Sequence, residues 1–160
     1  MNPAQKQLLK EWTAAVLWLG LIAVESTNLL SASNTSRILY PIFHFFTGVD
    51  PVRFVLWDYY IRKVGHFVGY FGLSVLLFRA WRVTLPFASP SRWSMQWASI
   101  SFFMTALVAS LDEWHQTYLT SRTGSLHDVL LDSSAALMAQ ILIFLLLEPK
   151  PASHRQDAFL

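Results

Sequence analysis

Ten side chains that can carry charge or form strong hydrogen bonds lie near the ends of apolar stretches, in ordered blocks. Within the blocks, several residues are three or four positions apart, so they share one face of a helix. Basic groups in such a set could hold a phosphate, and carboxylates could orient them or accept hydroxyls of a sugar. The candidate binding-pocket residues are Glu25, Lys63, His66, Tyr70, Asp112, Glu113, Gln116, Arg122, Asp128 and Asp132.

The same residues allow other chemistries. His66, Glu113 and Asp128 offer nitrogen and oxygen ligands suited to zinc or magnesium. The sequence has no HExxH motif or similar ligand spacing, so we expect no metal or cofactor and keep this trio as the alternative. Intramembrane carboxylates could also couple ion or proton movement. Covalent catalysis is not indicated, because no serine occupies a recognisable nucleophile motif.

Single members of the set also have ordinary structural explanations. Asp128 could cap a helix and complement its dipole, and Tyr70 could pack or anchor at the membrane interface. Glu25 could extend from a helix end towards water. Asp112 and Glu113 are harder to explain in this way, because two adjacent carboxylates at the end of an apolar helix are costly. The complete set therefore favours a site more strongly than any member does.

The composition indicates that lipid surrounds the elements that carry these residues. The chain has 160 residues, of which 54% are hydrophobic and 14% charged, whereas soluble domains have roughly a quarter charged. Four apolar stretches, residues 12–30, 64–78, 95–111 and 129–147, approach the roughly 20 residues that a membrane span needs. The second stretch is the shortest, and residues 79–81 extend it.

The loop between the first two spans, residues 31–63, contains two apolar segments, 38–46 and 54–60. Both are too short to span, so we interpret them as interfacial pieces along the membrane surface, with packing into the bundle as the alternative. The predicted fold is an all-α integral membrane bundle of about four transmembrane helices with interfacial segments in the first loop. Membrane lipids are expected partners. Nucleic acid is not, because the basic residues lie between apolar runs, as topology signals do.

The distribution of Lys and Arg predicts the orientation. Seven lie on the side of the termini and five on the other, and the richer side is usually cytoplasmic. Both termini are therefore expected inside, with a transmembrane domain over residues 12–147 and a short cytoplasmic tail over 148–160. The candidate residues then form an outward-facing polar pocket.

Three motifs and the end of the first span resemble the VanZ-like family over residues 12–147. One departure is a run of Ser133, Ser134 and Ala135 where a glycine is expected, which bears on close helix packing. The motifs are Lys63-x-x-His66-Phe67-x-x-Tyr70-x-x-Leu73, Asp112-Glu113-x-x-Gln116, Arg122-x-Gly124-Ser125-x-x-Asp128-x-x-x-Asp132 and, in the first span, Glu25-Ser26-Thr27.

The resemblance implies a small multi-pass protein of the bacterial cytoplasmic membrane with a role in the cell envelope. The family's namesake is associated with low-level resistance to the glycopeptide teicoplanin. We therefore expect binding of a lipid-linked or peptidoglycan precursor headgroup, a phosphate or the glycopeptide itself. The alternative is a membrane-embedded enzyme acting on an envelope lipid or phosphate, with metal assistance as one form. A small transporter ranks lower. The ligand and the oligomeric state are open at this stage.

Overall fold

The computed structural model describes residues 1–28, 31–85, 92–120 and 122–147. This part of the chain is built from helices and contains no strand. The predicted tail, residues 148–160, lies outside the described residues. The helices are α1 (Pro3–Glu25), α2 (Ala32–Thr47), α3 (Pro51–Thr84), α4 (Met95–Gln116) and α5 (Leu126–Leu147).

Local sequence signals explain where the helices begin and end. Asn2 and Gln5 form a capping box at the start of α1. The Asp50 carboxylate accepts two backbone N–H bonds at the start of α3, and Pro51 occupies the first turn. Ser94 caps α4 in the same way. Gly48 ends α2 in the left-handed conformation, with φ of 66°, which glycine adopts without a steric cost.

Helix α3 is the centre of the bundle, because it packs against each of the other four helices. Its contact with α5 is close because Ala135, Ala136 and Ala139 are completely buried. Small residues allow such an approach, so alanine does here what the resemblance led us to expect of glycine. Ser74 uses the proximity to donate a hydrogen bond to the Ala136 carbonyl at 3.1 Å.

The distribution of polar and apolar side chains is that of a membrane bundle. Polar residues on several helices, such as Ser101, Thr105 and Gln140, are buried, while many leucine, valine and phenylalanine side chains are exposed. Soluble proteins show the opposite trend. By length and composition, α1, α3 and α5 can each cross a membrane. The all-α membrane bundle predicted from the sequence is thus confirmed.

Helix α4, which the sequence predicts as a fourth span, is 22 residues long but is not among these three candidates. Its hydropathy is lowered by Gln96 near its start, by the polar residues of its last turns and by serine and threonine residues between them. Ser101 and Thr105 are buried in the bundle, and their hydroxyls donate to backbone carbonyls one turn earlier. Its exposed face carries Phe103 and Leu107. This helix therefore has an apolar exterior and a polar bundle face.

The region between the first two predicted spans is more regular than the sequence suggested. Residues 38–46 belong to α2, which packs on α3 through ring contacts of Tyr40 and Phe43 with Phe54. Residues 54–60 are not a separate interfacial piece, because they are early turns of α3. The second span was also wrongly expected to be short, since α3 has 34 residues. At 1.5 Å per residue it is about 51 Å long, which exceeds the roughly 30 Å hydrocarbon core.

Candidate functional site

The structure places the ten candidate residues at one end of the bundle, where α1 and α4 end and α5 begins. We call this set the polar cluster. A close approach of the α4–α5 loop to α4 shapes it. A Cβ on Gly124 would lie 2.3 Å from the Glu113 carbonyl oxygen, so only glycine fits there. The approach allows the Ser125 N–H to donate to Glu113 Oε2 at 2.8 Å.

Two side-chain pairs join α3 to α5 along one face of each helix. Lys63 forms a salt bridge with Asp128. One turn deeper, His66 Nδ1 lies 3.4 Å from Asp132 Oδ2. Asp128 also lies in the first turn of α5, where a negative charge complements the helix dipole. Lys63 and His66, three residues apart on α3, therefore face Asp128 and Asp132, four residues apart on α5.

A second set of hydrogen bonds joins α3 to α4. The Tyr70 hydroxyl donates to Asp112 Oδ2 at 2.8 Å, and Gln116 Nε2 approaches the same oxygen at 3.3 Å. Tyr70 is buried, so it is not an interfacial anchor. Asp112 thus has two partners within the protein.

Glu113 and Asp132 are in a different situation. Their exposed fractions are 3% and 0%, yet Glu113 Oε1 and Asp132 Oδ1 have no hydrogen-bond partner in the described structure. Glu113 takes part in none of the ion pairs found among the described residues, and Asp132 pairs with His66 alone. Buried carboxylates normally have partners, so these two acids retain unused binding capacity.

Ligand atoms of His66, Glu113 and Asp132 all lie within 4.8 Å of one another. The trio predicted from the sequence has Asp128 as its third member. The structure instead brings Asp132 to His66 and Glu113, because Asp128 is one turn nearer the rim and pairs with Lys63. One imidazole and two carboxylates are thereby gathered from α3, α4 and α5.

Arg122 fastens the α4–α5 loop to the end of α1. Its guanidinium donates to the backbone carbonyls of Glu25 and Thr27. Burial, with a further contribution from the Arg62 guanidinium, lowers the pKa of Arg122 from its ordinary value. The Glu25 carboxylate lies against α3, where a Cβ on Gly65 would be 3.3 Å from its Oε1. All ten candidate residues thus lie together around residues 63–70, in the middle of α3.

The free space inside the cluster is small. It amounts to about 10 Å³ available to the centre of a water molecule, which is room for about one water. A lipid headgroup cannot enter this space. A larger groove of about 340 Å³ between α1 and α4 reaches Asp112 from the side. The residues that line the small space are Ile22, Glu25, Ser26, His66, Gly69, Tyr70 and Asp112.

Sequence reasoning missed two buried acids, one near the site and one at the opposite end of the bundle. Asp58 pairs with Arg62 at 2.9 Å, and Arg62 also donates to Thr35 of α2. The signal was the four-residue spacing of Asp58 and Arg62, which was overlooked because residues 54–60 were assigned to a loop. The second acid, Glu11, pairs with Arg79 at the opposite end of the bundle.

Comparison with known proteins identifies the family. A family model described as VanZ/LLP1 matches residues 12–147. The chain belongs to the VanZ/LLP1 family. No curated protein and no solved structure matches it.

The matched region of this VanZ/LLP1 protein begins within α1 and ends at the last residue of α5. It therefore includes the whole polar cluster. The VanZ-like resemblance read from the sequence motifs is confirmed.

Proposed function

We propose that this VanZ/LLP1 membrane protein binds the phosphate-bearing headgroup of an envelope lipid, such as a lipid-linked peptidoglycan precursor, at the rim of the polar cluster. The observation that carries the proposal is the layering of charge. The side chains of Arg62 and Lys63 are 23% and 27% exposed, whereas Glu113 and Asp132 are almost fully buried. An anionic headgroup that approaches this end meets the basic layer first.

Lys63 is the residue best placed to make the contact. Its salt bridge with Asp128 lies at the start of α5, with both side chains partly exposed, so the ammonium can exchange one oxygen partner for another. A phosphate oxygen makes a charge-assisted hydrogen bond of the same kind. Arg122 is less suited, because it binds the backbone carbonyls that hold the loop against α1.

The test measures binding of a lipid-linked diphosphate to protein reconstituted in nanodiscs. A Lys63→Met variant keeps the apolar stem and removes the charge, and we expect binding at least tenfold weaker, which is about 1.4 kcal/mol. Lys6→Met is the matched control, since Lys6 is exposed in the first turns of α1. Equal affinity of the Lys63→Met variant and the wild type would contradict the proposal.

A second variant separates binding from folding. Lys63→Met alone leaves Asp128 without its cation, whereas Lys63→Met with Asp128→Asn removes both charges. We expect the double variant to recover stability but not affinity, because the basic contact is still missing. Recovery of affinity would show that Lys63 acts only by neutralising Asp128.

We further propose that the protein resides in a bacterial cytoplasmic membrane with both termini in the cytoplasm, so that the polar cluster faces outward. The Lys and Arg distribution supports this orientation, and the association of the family's namesake with teicoplanin resistance supports an envelope role. The sequence contains no cysteine, so single cysteines at Thr123 and Lys6 can report the sides. An impermeant maleimide should label intact cells at position 123 only, and labelling at position 6 instead would reverse the orientation.

A further inference from the structure

We infer that His66, Glu113 and Asp132 form a binding site for one divalent transition-metal ion of the Zn²⁺ or Mn²⁺ type. The inference rests on the proposed function in one respect, since the ion would lie in the cluster whose rim receives the headgroup. The three ligand groups come from α3, α4 and α5. Each stands on a helix within the packed bundle, which is the arrangement that holds metal ligands in place.

The spacing of the ligand atoms is close to what an ion requires. They lie within 4.8 Å of one another, while ligands about 2.1 Å from one tetrahedral ion are about 3.4 Å apart. Side-chain rotation covers the remaining difference. A small cavity with room for about one water adjoins His66, on the side away from Glu113 and Asp132, which do not line it. A water there would be a further oxygen ligand beside the imidazole.

The second observation is the state of the two carboxylates. Glu113 Oε1 and Asp132 Oδ1 are buried and have no hydrogen-bond partner among the described residues. Lys63 pairs with Asp128 instead. Two buried negative charges beside one imidazole are costly, and a divalent ion would neutralise both at once.

The surrounding contacts bind one oxygen of Glu113 and leave Glu113 Oε1 and Asp132 Oδ1 available for an ion. The Ser125 N–H fixes Glu113 through Oε2, which leaves Oε1 to bind. Asp112 Oδ2 accepts hydrogen bonds from Tyr70 and Gln116, so this neighbouring acid is less available to an ion. The imidazole favours Zn²⁺ over Ca²⁺, and the two carboxylates also suit Mn²⁺. Three protein ligands leave a coordination position to which a phosphate oxygen could bind.

The experiment measures Zn²⁺ and Mn²⁺ binding to purified protein in detergent, after chelator treatment and without added lipid. We expect about one ion per wild-type chain and at least tenfold weaker binding for Glu113→Gln and for Asp132→Asn. Glu11→Gln is the matched control, because it removes an equally buried carboxylate at the other end of the bundle. Equal affinity for wild type and the two cluster variants, or equal loss in the control, would overturn the inference.

X-ray absorption of the Zn²⁺-loaded wild type needs no variant and so does not depend on how substitutions fold. We expect one imidazole in a shell otherwise made of oxygen, and a shell without imidazole would overturn the site. Because neither experiment contains lipid, metal binding can fail while the lipid-linked diphosphate still binds. The converse result would contradict only the proposed function.

Discussion

The bundle buries a glutamate at each end, and the two have opposite surroundings. Glu11 is 4% exposed and Glu113 is 3% exposed. Arg79 meets Glu11 with two nitrogens, at 3.0 and 2.9 Å, and Gln7 donates to the same carboxylate at 2.6 Å. Glu113 receives one backbone N–H bond and keeps an oxygen without a partner.

Burial costs both carboxylates their hydration, so the difference lies in what replaces the water. At the Glu11 end a bidentate arginine restores charge balance, which is the strongest common pairing of this type. At the Glu113 end the protein supplies one neutral donor. Glu11 therefore joins helices through a complete ion pair, whereas Glu113 keeps one carboxylate oxygen without a partner among the described residues.

The largest effect is expected from breaking the pair at the Glu11 end. Arg79→Ala leaves Glu11 buried without its cation, and breaking a buried pair costs about 3–5 kcal/mol. Because the Arg79 side chain is 49% exposed, water replaces part of the loss, and we expect about 2–3 kcal/mol in the free energy of unfolding in detergent. The Glu11→Met and Arg79→Met double variant should return close to wild type. A single variant as stable as wild type would show that Glu11 needs no partner.

The next effect concerns the loop that shapes the polar cluster. In Gly124→Ala the new Cβ would meet the Glu113 carbonyl oxygen at 2.3 Å. Both atoms belong to or adjoin backbone, so the loop must move, and we expect a loss of about 2 kcal/mol in unfolding free energy. Gly20→Ala is the control, because nothing lies within 4 Å of its Cβ position. Equal stability of the two variants would contradict the close approach.

The sequence predicted the membership of the polar cluster but not its pairing. Residues three or four apart share a helix face by local geometry alone, so Lys63, His66 and Tyr70 were expected together. Whether His66 meets Asp128 or Asp132 depends on the axial register of α3 against α5. That register follows from the packing of residues such as Ala135, Ala136 and Ala139, which no local pattern reveals.

The extent of α3 shows a different limit. Asp50 and Pro51 are a helix-start signal in the sequence, and Asp58 and Arg62 add a favourable four-residue pair. The apolar character of residues 54–60 nevertheless suggested an interfacial piece. The hydropathy of residues 54–60 shows that they are apolar. It does not show whether they form a separate segment or the early turns of a helix longer than the membrane core.

A smaller effect is expected at Asp112, an acid of the polar cluster that has two side-chain hydrogen-bond partners within the protein. Tyr70→Phe removes the hydroxyl that donates to Asp112 at 2.8 Å and leaves Gln116 as the remaining side-chain donor. We expect a loss of about 1.5 kcal/mol in unfolding free energy, as for a hydrogen bond to a charged group. Tyr59→Phe, at an exposed position, should change stability little. If Tyr70→Phe lost no more stability than Tyr59→Phe, the Tyr70 hydroxyl would not stabilise Asp112, and Asp112 would resemble Glu113 rather than Glu11.

The smallest change in stability tests the comparison most directly, because its sign should differ between the two ends. Glu113→Gln keeps an oxygen to accept from the Ser125 N–H and removes a buried charge that has no cation, so we expect chelator-treated protein to gain about 0.5–1 kcal/mol in unfolding free energy. Functional sites commonly carry such unfavourable groups. Glu11→Gln should lose stability, because Arg79 then faces a neutral amide.

The stabilisation that added Zn²⁺ gives should also differ between these two variants. If Zn²⁺ stabilises the wild type, it acts by binding the folded state, and Glu113→Gln should lose that gain while Glu11→Gln keeps it. Loss of stability in both variants without ligand would mean that Glu113 is a structural acid like Glu11. If only Glu113→Gln gains stability, the Glu113 carboxylate lowers the stability of the wild-type bundle, as groups at functional sites commonly do.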